Sequence, residues 1–529
     1  MHFGLACAWQ MPGSMLARTH SAGLLGIEGY VVTVEADVGL GLPCLTVVGQ
    51  VSGALDEARE RVRSALGHCG HPIPPRKQIV NLAPAEQRKD SPGVDLAIAC
   101  ALLASHGVVP PESLTDTLLW GELALDGTLR PALGTLVIAD LARRHGFRRV
   151  ALASASAHEA MMIPGLEVLP VVDLPELIAH LRGEKPITPS QPDAYERGAM
   201  SMEGPDLADI RGLLLPRRAL EIMLAGGHNL LLHGPPGVGK TMLARRVAGL
   251  LPELEHEHAL EVTKIHGVAH RRLPEGLLRR PPIRMPHHTV SVAGLLGGGN
   301  PPRPGEVSLA HRGVLFLDEL PEFPRSCVEG LREPLEDGAV TIVRARYALH
   351  FPARFQLLAA MNPCPCGWLG HPERVCTDSP AAVQRYQSRV SGPFLDRMDL
   401  VVPVTPLSRE ELATSAPGEP SASVRARIVL ARERQHQRLA DTPWPSNAEI
   451  PASGQAIEQL CPLMPAAERL LLGVAQRKNL SMRAVHRMRR VARTIADLDL
   501  DRDPSAAIRV EDIALASQLR KLPDALSSE

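Results

Sequence analysis

A complete phosphate-binding pattern lies near the middle of the chain. Gly234-x-x-x-x-Gly239-Lys240-Thr241 follows the apolar run Leu230–Leu232 and precedes a helix-forming segment. A strand, a glycine-rich loop and a helix in this order form the context that the pattern requires. The glycines let successive backbone N–H groups point inward, and the helix N-terminus adds the positive end of its dipole. We therefore predict that ATP is bound by Gly234, Pro235, Pro236, Gly237, Val238, Gly239, Lys240 and Thr241.

Two side chains of this loop and two acids after a second apolar run have distinct predicted tasks. Lys240 is expected to reach the β- and γ-phosphates, and Thr241 to place its hydroxyl on Mg²⁺. The run Gly313–Leu317 predicts a buried parallel strand. We predict that Asp318, which follows it, holds Mg²⁺ through water and that Glu319 polarises the attacking water as general base. Either acid alone could be a simple turn residue, but the phosphate loop favours the catalytic interpretation.

Properties of the whole chain limit the classes of function. With 529 residues, the chain is longer than one hydrophobic core usually serves, so three domains are expected. A net charge of −1 gives no general attraction to nucleic acid, so any contact with DNA must come from local patches. Nine mostly scattered cysteines and the lack of a basic, apolar leader predict a cytoplasmic protein. No apolar run approaches the roughly 20 residues of a membrane span, so no membrane partner is expected.

The first third of the chain alternates β-rich and helical runs, which predicts an α+β or α/β domain. Its runs Lys89–Leu103 and Gly121–Ala153 resemble the proteolytic domain of Lon proteases, a fold shared with domain 2 of ribosomal protein S5. In this resemblance the position of the nucleophilic serine holds Gly93, and the position of its lysine base holds Leu136. Because a Ser–Lys dyad needs both groups, the resemblance implies a domain that does not cleave peptides.

Composition sets the predicted domain boundaries. Residues 1–182 are predicted to be the Lon-like domain, whose role could be oligomerisation, partner docking or nucleic-acid contact. Residues 183–205 are rich in proline and polar side chains and predict a linker. Residues 206–405 are predicted to form an α/β P-loop core, with helices on both faces of a parallel sheet, and residues 406–529 a helical lid and tail. The helix Ser481–Leu498 in the lid is expected to expose four arginines, Arg487, Arg489, Arg490 and Arg493.

Three long runs are far more specific than the phosphate loop. They are RMPHHTVSVAGLLGGGNPPRPGEVSLAHRGVLFLDELPEFPR (Arg284–Arg325), RFQLLAAMNPCPCG (Arg354–Gly367) and QRYQSRVSGPFLDRMDL (Gln384–Leu400). They resemble the ComM/YifB family of magnesium-chelatase-like AAA+ proteins, which have an amino-terminal Lon-like domain, and the resemblance covers nearly the whole chain. It implies a homo-hexameric ring with ATP at the subunit interfaces. It also implies a DNA motor that promotes branch migration of recombination intermediates during natural transformation.

The resemblance implies roles for three further residues. Asn362 follows the predicted strand Phe355–Met361 and takes the position of the γ-phosphate sensor, with a simple Asn-Pro turn as the alternative. Arg397 takes the position of the arginine finger that one subunit inserts toward the γ-phosphate of its neighbour. The alternatives are an ion pair on a helix surface and Arg389 as the finger. Arg483 takes the position of the sensor arginine that reaches the nucleotide from the helical lid.

Contacts with DNA are expected where related proteins face the ring pore. In this clade the insertion that corresponds to Arg284–Arg312 lies there. The segment Thr341–Ala348 predicts a strand and hairpin with Arg344 and Arg346 on one face. If that hairpin also faces the pore, the subunits of a ring would present repeated guanidinium groups to a phosphate backbone. A solvated strand face is the alternative.

The cysteines Cys364, Cys366 and Cys376 suggest a metal site, because thiols cluster nowhere else in the chain. Tetrahedral zinc needs a fourth ligand, which His371 or Asp378 could supply. The family often has a further cysteine where this chain has Asp378. Reduced, unliganded thiols are therefore the alternative.

Two functions from other classes stay open on the sequence alone. A magnesium-chelatase ATPase subunit would take part in inserting metal into a porphyrin, but the Lon-like domain argues against it. A protease or protein remodeller would use the first domain catalytically, and Gly93 and Leu136 argue against that. Ser91 would be the alternative nucleophile, but no lysine is placed to activate it.

Overall fold

The computed structural model describes most of the chain, which divides into two compact units. The described residues are 16–39, 41–49, 53–86, 89, 91–190, 204–270, 276–299, 302–344, 347–408, 410–411, 416–451 and 454–521. The first unit comprises Met1–Ala199 with Thr263–Leu277, and the second comprises Met200–Val262 with Leu278–Glu529. The division at Ala199 falls within the predicted linker. Thr263–Leu277, which the sequence assigned to the core, belongs to the first unit, and the core and the lid are parts of one unit.

The first unit is built on a mixed sheet. Its strands are β1 (Ala17–Leu25), β2 (Glu28–Gly39), β3 (Cys44–Val48), β4 (Lys77–Ala83), β5 (Thr117–Trp120), β6 (Glu122–Leu123), β7 (Leu129–Arg130), β8 (Arg149–Ala153) and β9 (Glu167–Val171). Seven of them form one sheet in the order β3-β4-β2-β1-β5-β8-β9, and β6 pairs with β7 separately. The pairs β1–β2 and β2–β4 are antiparallel, and the other neighbours run parallel.

Helices complete the first unit and supply its core. They are α1 (Gly53–His68), α2 (Asp95–Ser105), α3 (Thr135–Arg144), α4 (Ala157–Ala160) and α5 (Leu174–Leu181). Every residue of α2 is buried, in keeping with a sequence that is apolar on all sides. Strands β1 and β5 are not predicted from the sequence. β1 lacks a run of β-branched residues, and β5 is only four residues long. Pairing with strands on both sides determines their conformation more than local propensity does.

The second unit contains a parallel sheet of five strands. Its strands are β10 (Leu230–His233), β11 (Ile283–Arg284), β12 (Gly297–Gly298), β13 (Arg303–Pro304), β14 (Val314–Leu317), β15 (Ala339–Arg344), β16 (Tyr347–Pro352), β17 (Gln356–Met361) and β18 (Leu400–Pro403). The sheet order is β11-β14-β17-β10-β18, and β12–β13 and β15–β16 are antiparallel pairs outside it. Its central strands are buried along nearly their whole length, which explains why they appear in the sequence as continuous apolar runs.

Helices of the second unit lie before, between and after these strands. They are α6 (Leu214–Gly226), α7 (Lys240–Leu250), α8 (His256–His270), α9 (Val292–Leu296), α10 (Glu306–Leu309), α11 (Arg325–Gly330), α12 (Arg332–Asp337), α13 (Pro380–Gln387), α14 (Gly392–Leu395), α15 (Ser421–Leu439), α16 (Gln455–Leu460), α17 (Pro465–Arg477), α18 (Met482–Asp497) and α19 (Val510–Gln518). The last eight residues of α8 belong to the first unit. Within the residues described, no helix has the length and apolar character needed to cross a bilayer.

Three neighbouring strands of the parallel sheet end at one edge with polar residues. β14, β17 and β10 lie side by side and run parallel. The phosphate loop follows β10, Asn362 follows β17, and Asp318 and Glu319 follow β14. The carboxyl ends of the strands are where open α/β sheets bind ligands. This edge therefore brings together residues that are far apart in the sequence.

Helix α18 buries arginines that the sequence predicted to be solvent-exposed. Arg490 and Arg493 are buried, and Arg487 and Arg489 are half-buried. The helix packs against α6, α15 and α19, so its polar face beyond the first turn is largely covered by protein. Arg493 forms an ion pair with Asp497 at 3.0 Å, in keeping with the rule that buried charges are paired. The prediction of a solvated face is therefore wrong for this part of α18.

A buried carboxylate just before β18 joins α18 to the sheet. Asp399 lies 3.6 Å from Arg490 Nη2, 3.8 Å from Arg487 Nε and 3.6 Å from His228 Nδ1. It also accepts a hydrogen bond from the backbone N–H of Asn229 at 3.1 Å. Burial alone would raise the pKa of Asp399, but its contact with His228 and the charges of Arg490 and Arg487 lower it well below the usual range. The carboxylate is therefore ionised in the folded protein.

Asp399→Ala should lower the free energy of unfolding by about 3–5 kcal/mol, because it leaves buried guanidinium groups without their counter-charge. Urea unfolding followed by circular dichroism at pH 7 measures this loss. The exposed Asp501, also in the lid, serves as the control, and Asp501→Ala should change stability by less than about 0.5 kcal/mol. Because the folded-state pKa of Asp399 is lowered, the difference should be complete above about pH 4 and shrink at lower pH. A loss below about 1 kcal/mol would contradict this assignment.

Candidate functional site

Lys240 lies at the edge where β10, β14 and β17 end. Its Nζ donates hydrogen bonds to Gly234 O at 2.6 Å, Pro235 O at 2.8 Å and Asn362 Oδ1 at 3.0 Å. The side chain is 7% exposed. Gly239 immediately precedes α7 and has φ of 99°, a conformation that favours glycine, and this turn directs Lys240 into the loop. All three acceptors of the ammonium are neutral.

Desolvation makes this ammonium suited to an anionic ligand. Burial lowers the pKa of Lys240 to about 8, and the charges of Asp318 and Glu319 offset part of that shift. An anion in the loop would favour the charged form of the ammonium. The phosphate loop has room for an anion at Gly237. The φ of this residue is 79°, and no atom lies within 4 Å of the position that its Cβ would take. The residues present therefore fit a polyphosphate.

A hydroxyl and a carboxylate meet beside the loop. Thr241 Oγ1 donates a hydrogen bond to Asp318 Oδ2 at 2.6 Å. The other carboxylate oxygen, Oδ1, accepts the backbone N–H of Glu319 at 3.0 Å. Hydroxyl and carboxylate oxygens are ligands that suit Mg²⁺, usually together with water and phosphate oxygens. This pair fits a divalent cation held next to a bound polyphosphate.

Glu319 has a left-handed backbone and a half-exposed side chain. Its φ is 53°, which is uncommon outside glycine and is often found at functional sites. One carboxylate oxygen lies 3.6 Å from His288 Nδ1, and the imidazole of His288 meets the ring of Phe323 edge to face. This contact is not predictable from the sequence, since nothing in the spacing of the two residues links a loop histidine to an acid at a strand end.

The two candidate finger arginines contact acids of their own chain. Arg397 forms an ion pair with Glu336, and its side chain is 14% exposed. Arg389 Nη1 lies 3.1 Å from Glu322, and its side chain is 54% exposed. Neither acid is predictable as a partner from the sequence, because each lies on a different element and more than 60 positions away.

Three further predicted site residues, Arg483, Arg344 and Arg346, form none of the contacts described above. Arg483 is exposed in the first turn of α18, and its guanidinium has no hydrogen-bond or ion-pair partner among the residues described. Strands β15 and β16 form the predicted hairpin, with Arg344 opposite Tyr347 at its tip. The side chain of Arg344 and the whole of Arg346 lie outside the described residues.

Three thiols and one carboxylate converge in the loop after β17. The sulfur atoms of Cys364, Cys366 and Cys376 lie 3.4 to 3.6 Å from one another. Asp378 Oδ2 accepts the backbone N–H of Cys366 at 2.8 Å and lies 3.8 Å from Cys376 Sγ. All four ligand atoms lie within 4.8 Å of one another. His371, the other candidate, is outside this group, and its Nδ1 accepts two backbone hydrogen bonds from the following turn.

The first unit leaves no room for a side chain at the Lon-like nucleophile position. A Cβ added to Gly93 would lie 2.5 Å from the ring of Trp120. Leu136, at the position of the lysine base, is buried. Ser91 Oγ accepts the backbone N–H of Gly93 at 3.3 Å and so caps the short turn that precedes α2. An indole therefore occupies the space that a nucleophile would need.

Comparison with known families matches the chain in three consecutive parts. The model of magnesium chelatase subunit ChlI matches residues 206–412, the model of subunit ChlI of Mg-chelatase matches residues 34–156, and the model of the ChlI C-terminal region matches residues 418–520. Together these matches include the parallel sheet, the phosphate loop and the helices after β18, and in the sheet of the first unit they include β3, β4, β5, β8 and part of β2.

Several curated proteins are similar over almost their full length. YifB of Escherichia coli K12 is 43% identical over 491 residues, which are 92% of this chain and 94% of that protein. YifB of Salmonella typhimurium LT2 is 41% identical over 487 residues, or 92% and 94% of the two chains. Competence protein ComM of Haemophilus influenzae Rd is 40% identical over 488 residues, or 91% and 94%. With the phosphate loop and the acidic edge of the parallel sheet, these matches establish that the chain belongs to the ComM/YifB family of magnesium-chelatase-like AAA+ proteins.

Proposed function

We propose that this protein is a homo-hexameric, ATP-driven DNA motor of the cytoplasm that promotes branch migration of recombination intermediates during natural transformation. As a magnesium-chelatase-like ATPase, it uses ATP and Mg²⁺. The meeting of Lys240, Thr241 and Asp318 at one edge of the parallel sheet carries the ATPase part of the proposal. The DNA part is supported by 40% identity with a protein named for competence.

The proposed roles follow from the chemistry of each side chain. Lys240 and the backbone N–H groups of the loop bind the phosphates, while Thr241 and Asp318 hold the cation. Glu319 polarises the attacking water and takes up its proton. Asn362, already within hydrogen-bond distance of Lys240, senses the γ-phosphate. Bound Mg²⁺-ATP supplies the phosphoanhydride bond that is cleaved and the cation that neutralises charge on its oxygens.

Three further roles concern the lid, DNA and a second metal. Arg483 would reach the nucleotide from the lid. Its exposed position in the first turn of α18 supports this role. Arg344 and Arg346 would contact DNA from the tip of the hairpin β15–β16. Zn²⁺ would be held by the cysteines of the loop after β17. In this account the first unit serves in oligomerisation, partner docking or nucleic-acid contact and does not cleave peptides.

A substrate comparison separates this proposal from its two rivals. ATP turnover by the purified chain is measured with a four-way DNA junction, with protoporphyrin and Mg²⁺, and with casein. The proposal expects stimulation by the junction alone and intact casein. Stimulation by porphyrin without any effect of DNA would favour the chelatase role. Casein cleavage that Ser91→Ala removes would instead assign a proteolytic site to the first unit.

Mixed rings test whether Arg397 acts across the subunit interface. Arg397→Ala should lower kcat about 10³–10⁵-fold, because its guanidinium would offset charge in the transition state of the neighbouring site. Lys240→Ala subunits should also be inactive, because their own phosphate loop lacks the ammonium, but they keep an intact Arg397. In random rings of the two variants at equal amounts, about a quarter of interfaces would pair an intact Lys240 with an intact Arg397. ATPase activity should therefore return to about a quarter of the wild-type value.

The same mixing with Arg389→Ala identifies which arginine is the finger. If Arg389 were the finger, this variant and not Arg397→Ala would be inactive alone and rescued by Lys240→Ala subunits. Failure of Arg397→Ala to regain activity at any mixing ratio, in rings shown by light scattering to contain both variants, would contradict the interface geometry.

A further inference from the structure

The loop that follows β17 connects the cysteine cluster to the phosphate loop. Cys364 lies two positions after Asn362, whose amide oxygen contacts Lys240. The backbone N–H of Gly367 donates to Cys364 O at 3.0 Å. A Cβ added to Gly367 would lie 2.6 Å from Pro236 Cδ, so the backbone at Gly367 is packed against the phosphate loop. The position of this loop therefore affects both the residue at the end of β17 and the loop that binds phosphate.

We propose that Cys364, Cys366, Cys376 and Asp378 bind one Zn²⁺, and that this ion holds the loop after Asn362 against the phosphate loop. Metal binding is inferred from the geometry of the four ligand atoms alone. The effect of the metal on ATP hydrolysis rests on the proposed function.

The spacing of the sulfur atoms fits a tetrahedral ion. Zn–S bonds of about 2.3 Å place the sulfurs of a tetrahedral site about 3.8 Å apart. The observed separations of 3.4 to 3.6 Å are close to that value and far longer than the roughly 2.05 Å of a disulfide. Thiolates select zinc over magnesium or calcium, and a carboxylate oxygen is an accepted fourth zinc ligand.

Asp378 is the proposed fourth zinc ligand in this chain. Its Oδ2 lies toward the sulfurs while it accepts the backbone N–H of Cys366 at 2.8 Å. That hydrogen bond orients a ligating carboxylate in the way that outer-shell bonds do in metal sites. The aspartate therefore occupies the place of a fourth thiolate.

The loop after β17 has no regular secondary structure that would fix its conformation. Residues 363–379 contain neither helix nor strand. A loop of this length without regular structure is uncommon inside a compact domain. Apolar side chains of the loop such as Val375 are exposed, so apolar packing contributes little to its stability. A bound ion would supply the constraint that a hydrophobic core supplies elsewhere.

Zinc content of the purified full-length chain tests the site without reference to activity. The chain is dialysed against zinc-free buffer and analysed by inductively coupled plasma mass spectrometry, and about one zinc per chain is expected. Cys376→Ser should lose it, whereas Cys44→Ser, at an exposed cysteine of the first unit, should keep it. Absence of zinc from the wild type, or equal zinc in Cys376→Ser, would overturn the site.

Asp378 is tested by a variant that keeps its hydrogen bond. Asp378→Asn retains an oxygen that can accept the N–H of Cys366 but removes the negative charge. Zinc affinity, measured by competition with a chromophoric chelator, should fall at least about tenfold. Asp378→Cys should keep the metal, because it restores a fourth thiolate. Unchanged affinity in Asp378→Asn would exclude Asp378 as a ligand, even if Cys376→Ser does not fold.

Zinc removal tests the holding role. The wild type is stripped with a chelator and receives either Mg²⁺ alone or Mg²⁺ with Zn²⁺. Without zinc, kcat for ATP should fall about 10- to 100-fold through misplacement of Asn362, and zinc should restore it. Full turnover by the zinc-free chain would overturn the holding role. A chain that binds zinc as expected but never hydrolyses ATP would leave the metal site standing and refute the proposed function.

Discussion

Lys240→Ala should reduce ATP turnover at least about 10³-fold, because the reaction would lose the ammonium that we propose contacts the transferred phosphate. In the structure this ammonium is buried and donates three hydrogen bonds to neutral acceptors. Alanine leaves no other cation in the phosphate loop itself. Affinity for ATP should fall as well, since a charged contact to phosphate is removed. Phosphate release at saturating ATP and equilibrium binding of a fluorescent nucleotide measure the two effects.

The control for this variant lies on the same helix. Arg245 is exposed on α7, five positions after Lys240, and Arg245→Ala should keep ATP turnover within about twofold of wild type. Circular dichroism and thermal unfolding of both variants check that the helix is intact. A Lys240→Ala chain that is folded and still hydrolyses ATP at the wild-type rate would refute the assignment of the phosphate loop.

Glu319→Gln should separate nucleotide binding from its hydrolysis. Glutamine has the shape of glutamate but cannot take a proton from water, so kcat should fall about 10²–10⁴-fold. The hydrogen bond between Thr241 and Asp318 is left in place, so the Kd for Mg²⁺-ATP should stay near its wild-type value. Single-turnover hydrolysis and equilibrium binding on the same preparation give both quantities.

Glu333→Gln is the matched control, because Glu333 is an exposed acid of α12 in the same unit. It should leave kcat and Kd unchanged. Loss of nucleotide binding in Glu319→Gln would mean that Glu319 holds the cation or the fold and is not the base. Full turnover in this variant would move the catalytic role to another acid.

The sequence predicts those parts of the site that are local or that end apolar runs. The phosphate loop is continuous, so its strand, loop and helix follow from one short segment, and β10 and α7 appear where the pattern requires them. Asp318 and Asn362 are predicted as site residues because each follows an apolar run typical of a buried strand, and the role of Asn362 is implied by the family resemblance. Parallel strands carry such residues to a common edge, and the hydrogen bonds at Lys240 and Thr241 connect them there.

Partners on distant elements are not predictable in the same way. Periodicity assigns the apolar face of α18, but it does not reveal how many neighbours cover the opposite face. Arg490 and Arg493 are buried for that reason. Similarly, Glu336 meets Arg397 through packing of separate segments, and no local pattern marks it.

Domain boundaries show the same limit. Composition marks the linker because proline and polar residues accumulate there. It cannot show that Thr263–Leu277 leaves the second unit in the middle of helix α8 and joins the first. The helical pattern is continuous through that point, and only the contacts of the folded chain separate the two parts. The choice of Asp378 over His371 beside the cysteines also depends on loop geometry that spacing does not fix.

Branch migration on synthetic junctions tests the central claim most directly. Three- and four-way DNA junctions with one labelled strand are incubated with the wild-type chain, and release of that strand is followed on native gels. The account predicts release that requires Mg²⁺ and hydrolysable ATP and that is absent with Lys240→Ala or Glu319→Gln. Active ATP hydrolysis that never moves the labelled strand, or release at the same rate without ATP, would contradict it.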